Sequence, residues 1–262
     1  MIPLNIYFVY KHSVMIKLGR LKNSKIMNDA EKIYSFEKEN GSIKARPCFA
    51  TEELSYDQIL TSSPMPFLPI NFFESAPLAQ MLKEAESLTE RMVPHRSDYS
   101  HGWRSITLHG LAAEKTEGME RYGLNTNDLS LYKWMDFTEE LTPCVRSFFE
   151  NSFKYEFYHR VRIMLLEPGG YILPHADMKQ FLLDPVNIAL NQPKDCHFYI
   201  EDFGEVPFQA SPFIKLSLER RHIVVNRSRV RRYHIIVHGR PNKIFWEPVI
   251  KKSFLNLKEQ YK

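Results

Sequence analysis

The second half of the chain is a series of short runs of β-branched and aromatic residues, separated by Asn, Pro, Gly and charged residues. From residue 158 the runs read YHRVRIMLL, YILPHAD, VNIAL, CHFYI, PFIKLSL, RHIVVN and RRYHIIVHG. The first two are split by Glu-Pro-Gly-Gly at 167–170, a strong turn signal. Short strands at even spacing, without helices between them, are typical of antiparallel sandwiches and barrels. We therefore expect a β-sandwich of jelly-roll type.

Helices are predicted before and after these strands. In residues 77–92 apolar side chains recur at three- and four-residue steps, and Pro77 suits a first helical turn. A second helix is predicted near 138–152, and SFLNLKEQYK at the C-terminus predicts a terminal helix. The fold class expected from the whole pattern is α+β, mainly β, with the helices first.

The first part of the chain has weak patterning. Residues 1–65 lead into TSSPMPFLPI, where three prolines fix φ and remove hydrogen-bond donors. We expect 1–65 to be an extension and 66–262 to be one domain. That domain would have a helical lead-in at 66–155, a core at about 100–245 and the C-terminal helix.

Composition excludes several classes of protein. Hydrophobic residues make up 44% and charged residues 25% of the chain, so a disordered protein is not expected. No apolar run reaches the roughly 20 residues of a membrane span. Lys11 and His12 interrupt the apolar start, which argues against a secretory signal. Cys48, Cys144 and Cys196 are far apart and form no CxxC pair, which argues against a thiolate zinc site and favours the reducing cytoplasm.

A candidate metal site begins with His175 and Asp177. Side chains two positions apart lie on the same face of a strand, so the imidazole and the carboxylate can reach one ion. A His-x-Asp triplet is a weak signal in a chain with ten histidines. Its place directly after a Pro-Gly-Gly turn and a short apolar strand strengthens it, because the rim of a barrel is where sites are built.

Two further residues complete a possible site. His222 opens the run HIVV, and Arg232 follows ten residues later across a turn. Two histidines and one carboxylate form the facial triad of non-haem Fe(II), which leaves positions open for a 2-oxo acid and dioxygen. A guanidinium on the neighbouring strand can bind the distal carboxylate of that acid with two hydrogen bonds.

The pattern LLEPGGYILPHAD, followed after 44 residues by HIVVNRSRVRRYHIIV, resembles the aspartyl/asparaginyl β-hydroxylases and the related L-proline cis-hydroxylases. The resemblance covers about residues 95–240. It implies a double-stranded β-helix (jelly-roll, cupin-like) core with flanking N-terminal helices, and a dioxygenase that uses Fe(II), 2-oxoglutarate and O2. In that family the residues matching His175, Asp177 and His222 bind iron, and the residue matching Arg232 binds the distal carboxylate of 2-oxoglutarate.

Other positions of the resemblance leave alternatives open. GWRSITLHG at 102–110 is similar to the family's early strand, where a Trp at about the place of Trp103 lies near the substrate. Asn187 stands where the family usually has a basic residue or His, so it is a candidate for 2-oxoglutarate binding that brings no charge. Arg162 is a charge on an apolar strand, and it either extends to solvent or binds a carboxylate.

Histidines near the end of the chain compete for the third ligand position. His234 and His238 are alternatives to His222, but His234 would leave no arginine at the expected distance downstream. We therefore favour His222 and expect His234 inside the barrel with a hydrogen bond. His197 is expected to be structural or to line the pocket.

The leading functional hypothesis is a hydroxylase of an unactivated C–H bond in a small substrate, a free amino acid or related carboxylate, with release of succinate and CO2. The alternatives are a hydroxylase of Asp/Asn-type side chains in proteins or peptides, and a cupin-like metal enzyme that does not use 2-oxoglutarate. Nucleic acid is a disfavoured partner, because the net charge is only +4 and the arginines at 220–231 have no interleaved aromatic residues.

Overall fold

The computed structural model describes residues 24–43, 55–56, 59, 66–73, 75–118, 122, 131–177 and 185–260. The apolar start of the chain and most of the proline-rich stretch before residue 66 lie outside these ranges, and so do their predictions. Within the ranges, no helix combines the length and the apolar character that crossing a membrane requires.

The helices and strands alternate little along the chain. The helices of the described residues are α1 (Ser24–Asn40), α2 (Leu78–Ser87), α3 (Thr138–Leu141), α4 (Pro143–Phe148) and α5 (Lys243–Gln260), with a 3-10 turn at Thr89–Arg91 and a π-helical turn at Phe149–Phe153. The strands are β1 (Phe67–Pro69), β2 (Val93–Pro94), β3 (Ser100–Gly110), β4 (Lys133–Trp134), β5 (Tyr155–His175), β6 (Val186–Ala189), β7 (Cys196–Ile200), β8 (Gly204–Glu205), β9 (Phe213–Leu216), β10 (His222–Asn226) and β11 (Arg232–Pro241).

The strands form two layers that share β5. Their order is β1-β9-β6-β11-β5-β10-β7-β8, and every pair is antiparallel. The first half of β5 pairs with β11 and the second half with β10, while β3 lies along its other edge. One layer is therefore β5-β11-β6-β9-β1, and the other is β5-β10-β7-β8. This connectivity is a double-stranded β-helix, which confirms the predicted fold class.

The Glu-Pro-Gly-Gly segment does not separate two strands, and this part of the prediction is wrong. The ladder with β11 ends at Leu166, and the ladder with β10 begins at Tyr171, within one continuous strand. Gly169 has a φ of 75°, and a Cβ on Gly170 would lie 2.8 Å from the carbonyl oxygen of Glu167. The glycines therefore bend β5 from one layer into the other without reversing it.

The outer face of the larger layer packs against helices. Alternate residues of β5 and β11, such as Val161, Ile163 and Ile235, are fully buried there. Helices α2, α4 and α5 cover them with Met81, Val145, Trp246 and further apolar residues. The apolar alternation of the strands thus points outward to the helices, and the intervening residues point into the space between the layers.

Helix α1 covers the outer face of the smaller layer. Ile33 and Phe36 lie one turn apart and pack with Leu173, Ile223 and Val225. The hydroxyl of Tyr171 on β5 also donates a hydrogen bond of 3.0 Å to Asp29. Part of the stretch expected as an extension is therefore a structural layer of the described protein.

Three predicted helices have different bounds in the structure. The helix predicted at 77–92 ends at Ser87 and continues only as the 3-10 turn. The C-terminal helix begins at Lys243, ten residues before the predicted start, because Pro248 lies inside it and hides the first turns from a periodicity analysis. The helix predicted near 138–152 is split by Pro143 into α3 and α4.

Glu84 connects two of the covering helices. Its side chain is buried, and its two carboxylate oxygens each accept a backbone hydrogen bond of 2.9 Å, from Cys144 and from Val145. These amides lie in the first turn of α4, where they have no partner within the helix.

We expect Glu84→Ala to lower the free energy of unfolding by about 1–3 kcal/mol, because it leaves two amides of α4 without their partner. Urea denaturation measures this change. The matched control is Glu86→Ala, an exposed glutamate of the same helix, with an effect within about 0.5 kcal/mol. Equal effects of the two substitutions would contradict the capping role.

Candidate metal centre

The register between β5 and β10 brings two histidines together. His222 is the direct cross-strand partner of His175, and their ring centroids are 4.3 Å apart. Asp177 follows β5 by two residues, and its amide donates a hydrogen bond of 2.9 Å to the carbonyl oxygen of Leu218. The ligand atoms of His175, Asp177 and His222 all lie within 4.8 Å of one another.

Both imidazoles have the orientation that a metal ligand needs. The Nδ1 of His175 is 2.8 Å from the carbonyl oxygen of Leu173, and the Nδ1 of His222 is 3.0 Å from that of Arg220. Because a carbonyl only accepts, each Nδ1 carries the proton and each Nε2 keeps its lone pair. Burial, followed by the neighbouring His175, lowers the pKa of His222 to about 4, so this ring is neutral at pH 7.

The carboxylate of Asp177 is held by Arg96. The Nη1 of Arg96 donates a hydrogen bond of 3.0 Å to Oδ1 of Asp177 and also contacts the hydroxyl of Tyr99. Burial alone would raise the pKa of Asp177, but the nearby His222, Arg96 and His175 outweigh it and lower that pKa. Arg96 has a φ of 45°, a conformation that non-glycine residues rarely adopt and that clusters at functional sites.

The three side chains fit a divalent transition metal. Two neutral imidazoles with free Nε2 atoms and one ionised carboxylate are the donor set of the non-haem Fe(II) facial triad. Backbone carbonyls and Arg96 supply the outer hydrogen bonds that orient such ligands. His234 and His238, the alternatives for the third ligand, are not part of this group.

Arg232 lies at one end of the same cavity. It is buried at the start of β11, and its guanidinium stands 5.7 Å from the ring of Phe208. Its Nε donates to Oε1 of Gln192, and its Nη2 is 2.9 Å from Nδ1 of His234. Burial lowers the pKa of Arg232 to about 10, which still leaves the group charged at neutral pH.

The hydrogen bonds around His234 define one consistent tautomer. Its Nε2 is 3.0 Å from Oε1 of Gln192, so Nε2 carries the proton. Its Nδ1 then accepts from Nη2 of Arg232, and the side-chain amide of Asn187 lies 2.7 Å from the same nitrogen. Asn187 therefore lies in the cavity as a neutral partner of His234.

One cavity contains every residue that the sequence proposed for the site. Its lining includes the three candidate ligands, Arg232, Asn187, Arg162 and Trp103. His197 lies outside it, because His197 is on the outward face of β7 and its Nδ1 is 2.7 Å from Glu205. The prediction that His197 lines the pocket is therefore wrong, and the alternative, a structural contact, is what the structure has.

The cavity also contains residues that the sequence did not single out for the site. The additional polar ones are His95, Arg96 and Arg160, whereas His234 and His238, which also line the cavity, were already alternatives for the third ligand. Arg160 lies two positions before Arg162, so the same strand alternation would have placed both on one face. His95 and Arg96 lie in the segment between β2 and β3, where no periodicity marks them.

Comparisons with known proteins give low similarity. No protein-family model matches the chain, and no curated protein matches it. Among solved structures, a Pseudomonas putida prolyl-4-hydroxylase aligns with 67% of this chain and 91% of its own, at 15% identity and a TM-score of 0.38. A Trichoplax adhaerens prolyl hydroxylase, in complex with a hypoxia inducible factor peptide fragment, aligns with 85% of this chain and 96% of its own, at 13% identity and a TM-score of 0.42.

A third solved structure is that of an enzyme with a different type of reaction. It is the non-heme alpha ketoglutarate dependent epimerase SnoN from nogalamycin biosynthesis, with 66% of this chain and 75% of its own aligned, 11% identity and a TM-score of 0.37. Likeness at these levels is too low to carry an activity or a substrate over to this chain.

We expect the full chain to bind one Mn(II) or Fe(II) ion per molecule, and His175→Ala and His222→Ala each to weaken binding by about 100-fold or more, because each removes one of three protein donors. Anaerobic isothermal titration calorimetry measures the affinity. His197→Ala is the matched control, since this histidine lies on the next strand but faces outward. If all three variants bind alike, the metal centre is elsewhere.

Proposed function

We propose that this protein is an Fe(II)- and 2-oxoglutarate-dependent dioxygenase. The observation that carries the proposal is the presence of a His–Asp–His group and a buried, hydrogen-bonded arginine in one cavity of a double-stranded β-helix. Such a cavity offers both a metal and a fixed positive charge to a dicarboxylic 2-oxo acid.

In this proposal each side chain has a defined role. His175, Asp177 and His222 hold Fe(II), and Arg232 binds the distal carboxylate of 2-oxoglutarate. Asn187 faces the same cosubstrate. When bound, the iron with 2-oxoglutarate and O2 supplies the oxidation of a C–H bond to an alcohol, with succinate and CO2 as the other products.

The protein's own contribution is to fix charges and exclude water. Arg232 stays oriented because Gln192 and His234 bind its Nε and Nη2. Arg96 keeps the carboxylate of Asp177 ionised and oriented toward the two imidazoles. Trp103, whose ring stands edge-on 4.3 Å from His95, forms an apolar part of the cavity wall for the substrate.

The substrate in this proposal is a small molecule with a carboxylate, such as a free amino acid, and Arg162 takes part in binding it. The resemblance of LLEPGGYILPHAD and HIVVN to the aspartyl/asparaginyl β-hydroxylases and L-proline cis-hydroxylases supports the reaction type. Hydroxylation of a protein side chain is the second candidate, favoured by the same resemblance. The free thiols of Cys144 and Cys196 support a reducing, cytoplasmic location.

The dioxygenase assignment is tested by succinate formation. We expect the Fe(II)-loaded chain to convert 2-oxoglutarate to succinate in air, slowly without a substrate and faster with a matching small carboxylate. His175→Ala and His222→Ala abolish this turnover, and His197→Ala keeps it. Wild-type protein that neither binds 2-oxoglutarate nor forms succinate would contradict the assignment.

Arg232 separates this proposal from a cupin-like metal enzyme that does not use 2-oxoglutarate. We expect Arg232→Gln to weaken 2-oxoglutarate binding to the Mn(II) protein by about 10- to 100-fold, because a charged hydrogen-bonding partner is lost, and to leave Mn(II) affinity nearly unchanged. Calorimetry gives both affinities. Arg231→Gln is the control, because Arg231 is exposed and contacts Glu167 on the outside. Unchanged 2-oxoglutarate affinity in Arg232→Gln favours the cupin-like enzyme.

A further inference from the structure

Two arginines stand next to each other on the cavity face of β5. Arg160 and Arg162 are 5% and 6% exposed, and the residues between and beside them, Val161 and Ile163, face the covering helices. Like charges on neighbouring positions of one strand face are unfavourable, and burial makes them more so. A role in binding therefore explains this buried pair better than a structural role does, because apolar residues would stabilise the sheet more.

Arg162 keeps open hydrogen-bonding capacity inside the cavity. Its Nη1 donates to the carbonyl oxygen of Thr116, and its buried Nε has no hydrogen-bond partner among the described residues. No carboxylate of the described part of the chain forms an ion pair with it. Burial, followed by the charges of Arg160 and Arg96, lowers the pKa of Arg162, and the charge of Asp177 offsets part of this effect.

The loop after β3 fixes the two guanidiniums. Arg160 donates a hydrogen bond of 2.5 Å to the carbonyl oxygen of Glu117, one residue after the partner of Arg162. The side chain of Glu117 accepts a hydrogen bond from the amide of Arg96, and Thr116 contacts His95. The positive groups are thus ordered before any ligand arrives, which lowers the entropic cost of binding.

This cluster is separate from Arg232. Arg162 faces Ile236 of β11, whereas Arg232 faces Leu166 of β5. The two positions are four residues apart along the strands, about 13 Å. Their guanidiniums also turn to different partners, Arg232 to Gln192 and His234 on the β6 side, and Arg162 to the loop on the β3 side.

We propose that Arg160 and Arg162 form a second carboxylate site in the cavity, which binds the substrate's carboxylate while Arg232 binds 2-oxoglutarate. The substrate class is then a small organic acid, oriented by the end that does not react. The identification of the bound acid as the substrate rests on the proposed function. The carboxylate site itself does not, because none of its residues is a candidate metal ligand.

The test uses the full chain with Mn(II) and saturating 2-oxoglutarate, so that 2-oxoglutarate occupies the end of the cavity at Arg232. Butyrate and its neutral isostere butyramide are titrated by calorimetry or ligand-observed NMR. We expect butyrate to bind at least about tenfold more tightly than butyramide, and Arg160→Gln and Arg162→Gln each to weaken butyrate binding by about tenfold or more. Arg231→Gln, an exposed arginine outside the cavity, is the matched control and leaves it unchanged.

Stability distinguishes loss of the site from loss of the fold. Without ligand, the melting temperature of Arg162→Gln does not fall, because a buried positive charge beside Arg160 is removed. Arg162→Lys keeps the charge without the planar fork, and its butyrate affinity lies between those of the wild type and Arg162→Gln.

Three outcomes overturn the proposal. They are equal affinities for butyrate and butyramide, unchanged butyrate binding in both glutamine variants, and binding of inorganic phosphate without binding of butyrate. If Mn(II) or 2-oxoglutarate fails to bind, the dioxygenase assignment fails by itself. The carboxylate site is then tested in metal-free Arg232→Gln, where the same two substitutions must still weaken butyrate binding.

Discussion

Antiparallel pairing between β5 and β10 is the contact on which the candidate metal centre depends. Two residues of β5 oppose one of β10 next to the candidate ligands, so the ladder contains a bulge between Ile172 and His175. A slip of one residue would turn His222 to the outer face of the layer. Ile223 and Val225 prevent this slip by packing under α1, together with Phe36. A helix far away in sequence thus helps to hold the histidines opposite each other.

The outer face of the larger layer stabilises the sheet, and its inner face carries side chains of the candidate site. Outward residues of β5 and β11 bury apolar surface under three helices, and this burial stabilises the sheet. Inward residues at the intervening positions include Arg160, Arg162, Arg232 and His234, all of them buried. Because successive side chains of a strand point to opposite faces, one short sequence such as RVRIMLL supplies apolar residues to the outer face and charged residues to the inner face. The charges on the inner face cost stability, and the outer face offsets that cost.

The sequence could predict whatever depends on local periodicity. The strands at 222–226 and 232–241 follow from alternation, and the spacing of His175, Asp177 and His222 indicated the candidate ligands that the structure brings together. The bend at Gly169 could not be predicted, because a bend and a reversal use the same residues and only the partner strands differ. Arg96 was missed for a similar reason, since it enters the cavity from a segment without periodicity.

Arg96 links the candidate metal ligands to the arginine cluster. Its guanidinium binds Asp177, and its backbone amide binds the side chain of Glu117, whose carbonyl holds Arg160. The positive charges of Arg96 and Arg162 disfavour each other in this buried space. A carboxylate bound between Arg160 and Arg162 would cancel much of that repulsion. In the proposed carboxylate site, substrate charge and the orientation of the candidate ligand Asp177 would therefore be coupled through Arg96.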